Sequence, residues 1–77
     1  MPKYHMSDEA RRRLDKIFTY HQPKDDQPAR YVMLRDKAKE LAIMICEEVR
    51  DSREQSMALT KLEECVMHAN SGIARNE

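Results

Sequence analysis

Two long runs of apolar residues at helical spacing meet at a break of only two or three residues in "DSREQ" (residues 51–55), and this break narrows the choice of fold most. Ser52 followed by Gln55 has the capping-box form, so a helix should begin at Arg53. Upstream, Tyr31, Leu34, Ala38, Leu41, Ile45 and Val49, with Ala42 between them, form a heptad-like seam that predicts a helix over about 28–49. Downstream, Leu59, Leu62, Val66, Ala69 and Ile73 keep alternating three- and four-residue steps to about residue 74. Gly72 is placed either to close that helix or to admit another backbone. A link this short turns the two helices into an antiparallel hairpin.

A shorter helix precedes them. Ser7 is a good N-cap, and Asp8 and Glu9 suit the positive end of a helix dipole. Ala10, Leu14, Ile17 and Phe18 mark one stripe, which predicts a helix over about 8–19. Asp26 is placed to cap the next helix, where Pro28 is tolerated in the first turn. The expected fold is all-α: a short N-terminal helix plus a long antiparallel helical hairpin, as a single helical domain spanning 1–77.

Both long helices carry more apolar surface than one seam uses. Val32, Ile43, Met44 and Cys46 leave the seam on the first, and Met57, Ala58, Cys65 and Met67 leave it on the second. Either the short helix hides some of these or the chain self-associates. With 77 residues the chain is too small to cover them all, which favours a homo-oligomer. Cys46 and Cys65 have no metal-ligand spacing and read as small buried hydrophobes.

No apolar run approaches the ~20 residues of a membrane span, and "MPKYHMSDEARRR" lacks the apolar segment of a signal peptide. A cytoplasmic protein without a membrane partner is expected. Net charge is zero, yet residues 1–40 carry ten Lys/Arg against seven Asp/Glu, and residues 41–77 carry four against seven. That excess is too small for a protein that tracks DNA, and fits local anion pockets.

Catalysis finds little to work with. Glu47-Glu48 and Glu63-Glu64 are adjacent on helices, point in different directions and read as solvated edges. His68 follows Cys65 by three residues but lacks a third, orienting group. There is no Gly-rich phosphate loop, HExxH or calcium loop. No enzyme, cofactor or metal is expected.

Binding is better supported. In "FTYHQPKDDQPARY" (18–31), Tyr20 and His21 stand at a helix end, as packing for a corner or as groups offered to a ligand. Arg35 and Lys39 are four apart and share a helix face, as phosphate ligands or as ordinary surface charge. Arg53 joins the free N–H groups that open the last helix, a further potential anion site. The Arg11-Arg12-Arg13 run reads as a solvated face before a phosphate clamp.

The segments "FTYH.P", "DQP.RY", "SREQS.ALTKLEE" and "AN..IARNE", in that order across residues 18–77, resemble a family of small phage proteins that counter CBASS, a bacterial defence signalling through cyclic oligonucleotides. The resemblance implies a sponge: a homohexamer that holds cyclic dinucleotides intact at subunit interfaces and cyclic trinucleotides in separate pockets. Some members are also linked to cyclic ADP-ribose isomers. It implies a base-stacking role for Tyr20, a loop-ordering role for His21, and a phosphate-facing role for Arg35, with Lys39 a neighbouring candidate. Arg75, with Asn76 beside it in "IARNE", is the candidate for the second pocket. His68 occupies a place where several relatives are expected to carry Trp. The implied location is the cytoplasm of the infected bacterial host. The rival reading is a helical homo-oligomeric phage adaptor or inhibitor that grips a host protein.

Overall fold

A computed structural model describes residues 3–77 and contains three α-helices: α1 Asp8–Ile17, α2 Gln27–Glu48 and α3 Arg53–Asn76. The first two positions of the expected 1–77 domain lie outside the described residues. Ser7 caps α1, its Oγ accepting from the Ala10 N–H at 3.1 Å. Ser52 caps α3 in the same way, accepting from the Gln55 N–H at 3.2 Å. The return half of the capping box is missing, because the Gln55 amide instead donates to the Val49 carbonyl at 2.9 Å. That bond ties the end of α2 to the start of α3 across the turn.

Four expected boundaries move. α1 stops at Ile17 rather than 19, with Phe18 as its C-cap, so Tyr20 and His21 belong to the loop rather than to a helix end. The His21 ring explains part of this, because its Nε2 donates to the Lys16 carbonyl at 2.8 Å and occupies an acceptor the next helical turn would have used. α2 starts one residue earlier than expected and ends at Glu48, leaving Val49 in extended backbone. α3 runs through Gly72 to Asn76, so the glycine does not close it. Among the described residues beyond its own helical turn, nothing lies within 4 Å of a Cβ built on Gly72, so no other backbone approaches there. Gly72→Ala should therefore raise the melting temperature of the isolated chain, by about 0.4–1 kcal/mol of added stability, in a denaturation series. A loss instead would place a neighbouring copy's backbone against this helix.

Asp26 holds the N-cap position of α2, but its side chain makes no capping bond. Its Oδ1 accepts from Arg30 Nη1 at 3.2 Å instead. The turn is fixed by Gln27: its N–H donates to the Lys24 carbonyl at 2.9 Å, and its side-chain oxygen accepts from the Lys24 N–H at 3.2 Å. Between them Asp25 takes a positive φ of 52°, a left-handed conformation that Asp tolerates better than most residues. Gln27 is 3% exposed and is the one fully buried residue among those described.

α2 and α3 pack as the expected antiparallel hairpin. Tyr31, Leu34, Ala38, Ala42 and Ile45 face Leu59, Leu62, Val66, Ala69 and Ile73, and all ten are half-buried. Leu41 and Val49, expected in the same seam, are exposed, while Ala58, expected off it, is half-buried. No apolar side chain among the described residues is fully buried. The Cα atoms extend over 53 × 35 × 15 Å. Two helices packed side by side bury only the stripe between them, so no interior is closed on all sides.

The expected burial of Cys46 and Cys65 is therefore not met. Both are exposed, because each sits one position off the seam, on a face that nothing covers. Nor does α1 cover the surplus surface: Leu14 and Phe18 of its own stripe are exposed, as are Val32, Ile43, Met44, Met57 and Met67. Arg11, Arg12 and Arg13 form the exposed face that was expected.

Candidate functional site

The antiparallel arrangement brings the start of α2 and the 18–26 loop against the end of α3. At this end Tyr20, His21 and Pro23 from the loop, Tyr31 from α2, and Asn70, Ser71 and Ala74 from α3 line a wide-open hollow of about 360 Å³. Tyr20 is 80% exposed while Tyr31 is half-buried, so one ring is offered to solvent and the other is held by packing. The His21 bond to Lys16 needs the ring proton on Nε2, because a carbonyl only accepts. This pins the imidazole in the loop and fixes where the chain carries Tyr20.

The same end is stitched by polar contacts between helices. Lys16 Nζ of α1 donates to Asn76 Oδ1 at 2.7 Å, and the Asn76 amide donates to the Gly72 carbonyl at 3.0 Å. Asn76 is thus used on both sides of its amide within the chain. Arg30 spans Asp26 and Glu77, with Nη1 donating to Glu77 at 2.8 Å. Residue periodicity gave no sign of this bridge, since its partners lie 47 positions apart.

The hydrogen bond from Arg30 holds the Glu77 carboxyl below the ordinary glutamate range, and Glu77 with Asp26 raises Arg30 further above its own. A carboxyl whose folded value is depressed contributes stability above its unfolded value and loses it as pH falls through the folded one. Acid should therefore loosen the end of α3 before the hairpin turn, read as faster amide exchange at residues 74–76 below the ordinary glutamate range. Glu77→Gln should remove that acid-dependent step; an unchanged pH profile in the variant would assign the step elsewhere.

Arg35 and Lys39 line a different hollow. This is a groove of about 490 Å³ along one side of the hairpin, walled by Ala38, Ala42, Leu59, Leu62, Val66 and Met67, with Glu63 at its edge. Neither cation forms an ion pair among the described residues: Glu40, beside Lys39, pairs with Lys37 at 3.4 Å. On the other side of the seam a smaller hollow of about 220 Å³ lies between Leu34, Leu41, Cys65 and Ala69. Within one chain, Tyr20 and Arg35 therefore do not share a hollow, although Tyr31, which lines the first, is one turn from Arg35.

The remaining candidates separate further. Arg53 is exposed at the start of α3, and Arg75 is half-buried at its other end. That is roughly 33 Å of helix, so the two serve no common site in one chain. His68 is exposed on α3, one position before Ala69 of the seam. Among the described residues no three His, Cys, Asp or Glu side chains gather as a metal site, and no helix is long and apolar enough to cross a membrane.

The fold and the hollow define a small helical hairpin protein with an aromatic, concave end and uncovered apolar flanks. The family model for the Acb2/Tad1 hairpin domain matches residues 10–74, and the chain belongs to this family, the anti-CBASS sponges. The match reaches further toward the N-terminus than the 18–77 resemblance, taking in most of α1. It ends before Arg75 and Asn76. No curated protein and no solved structure matched the chain.

Proposed function

We propose that this chain binds cyclic oligonucleotide second messengers and withholds them, uncleaved, from CBASS effectors in the cytoplasm of an infected bacterium. The observation that carries the reading is the hollow of about 360 Å³ at the α2–α3 end, which an exposed Tyr20 and a half-buried Tyr31 both line. Family membership gives that space a ligand class. A base stacks on Tyr20, with its flat face covering ring surface that water now covers. Arg35 and Lys39, free of carboxylate partners, supply positive charge for the phosphates.

Because these cations line a separate groove, the reading requires a second copy to bring them to a tyrosine hollow. The uncovered groove and the exposed Ile43, Met44 and Met67 support that assembly, which we take to be a homohexamer. The chain as a single domain over 1–77 is part of the same proposal. His21 orders the loop rather than touching the ligand. Arg75 and Asn76 serve a second, trinucleotide pocket, and Arg53 is a peripheral anion contact at the far end of the hairpin.

Calorimetric titration with a panel of cyclic di- and trinucleotides tests this, with Arg35→Ala beside the parent. Saturable binding, lost for dinucleotides in Arg35→Ala, is the expected result. Binding of no member of the panel, together with stable capture of one host protein, would replace the sponge by a helical adaptor, which the same apolar flanks would also serve.

A further inference from the structure

The α3 row that faces α2 runs Leu59, Leu62, Val66, Ala69 and Ile73, and Asn70 stands one position off it, half-buried beside the tyrosine hollow. An amide there is unusual for packing. Its Oδ1 is closed off from water and accepts no hydrogen bond among the described residues. Buried carbonyl oxygens are nearly always paired, and one left unpaired in a native fold calls for an explanation. Alanine or leucine would fill the position without that cost.

We infer that Asn70 reads the base of the bound cyclic nucleotide and selects adenine. This rests on the sponge reading above and adds to it the identity of the base. Asn70 already lines the hollow, and the torsion at the end of its side chain is soft enough for a bound base to turn the amide toward it. With the amide turned to the base, the oxygen accepts from the adenine 6-amino group while Nδ2 donates to N7, the two-bond match between an amide and an adenine edge. The corresponding edge of guanine offers two acceptors, O6 and N7, and would leave the Asn70 oxygen facing another oxygen. Tyr20 and Tyr31 supply the flat walls that hold a purine against the amide.

The test pairs a change in the ligand with a change in the protein. Wild type and Asn70→Ala are titrated with cyclic di-AMP, with the analogue whose 6-amino groups are replaced by hydrogen, and with cyclic di-GMP. Wild type should prefer cyclic di-AMP to the amine-free analogue by about tenfold, within what one base-edge contact supplies. Asn70→Ala should bind both equally and melt no lower than wild type without ligand, since it gives up no hydrogen bond. The ligand arm needs no variant, so it stands even if Asn70→Ala folds poorly.

Equal affinity of wild type for cyclic di-AMP and its amine-free analogue would overturn the assignment while leaving the sponge intact. A discrimination that persists in Asn70→Ala, or a preference for cyclic di-GMP, would do the same. Failure of wild type to bind any of the three would remove the dinucleotide reading and this inference with it.

Discussion

Tyr20→Ala should weaken cyclic dinucleotide binding by about 10- to 100-fold, the range that loss of one base–aromatic stack produces. The fold should not notice the change. Tyr20 is 80% exposed, its ring makes no hydrogen bond of its own, and the loop that carries it is fixed by His21 and Gln27 instead. The substitution therefore separates a ligand role from a packing role more cleanly than any other single change in the hollow. Melting curves of the two free proteins should superimpose while their titrations diverge. Equal affinities would mean that the ligand sits elsewhere, with the Arg35–Lys39 groove as the next place to look.

Met67→Glu should break the assembly into smaller species. Met67 is 60% exposed in the single chain, so a carboxylate there costs that chain little. If a second copy covers the groove, the same carboxylate is stripped of water, and Arg35 and Lys39 of that groove repay the cost only in good geometry, leaving a penalty of about 1–3 kcal/mol per copy. Sedimentation should show the parent as one large species and the variant as monomer or small fragments. Dinucleotide binding should fall with it, because Arg35 and Lys39 would no longer meet a neighbouring tyrosine hollow. A variant that sediments like its parent would clear the groove of any role in assembly.

The hairpin was legible in the sequence because its determinants are local: Ser7 and Ser52 as caps, a seam of fixed period, and a turn too short for any other path. Element order and pairing follow from those alone. Side-chain burial was not legible, because burial depends on what lies outside the chain. Cys46 and Cys65 have the composition of buried residues, yet the structure leaves them on open faces. α2 shows the reason most clearly: apolar residues occur all around it, as on a helix surrounded by neighbours, while one chain supplies only α3.

Within the candidate site, Tyr20 and His21 stood out through aromatic and loop chemistry, and the structure brings both to one hollow with Tyr31, which had read only as a seam residue. Asn70 and Ser71 did not stand out, since a polar residue on an amphipathic helix is unremarkable until its neighbours are known. Gln27 and the Arg30–Glu77 bridge were hidden for a related reason. They close contacts between residues far apart or across a turn, and neither leaves a periodic trace.

Native mass spectrometry of the protein mixed with a cyclic dinucleotide tests the central claim most directly, because copy number, ligand number and ligand integrity are read from one spectrum. The account expects a six-copy particle carrying ligands of unaltered mass, released whole on heating, and the same particle without ligand for Tyr20→Ala. A monomer, a ligand-free oligomer, or a ligand whose mass has changed by the addition of water would contradict it.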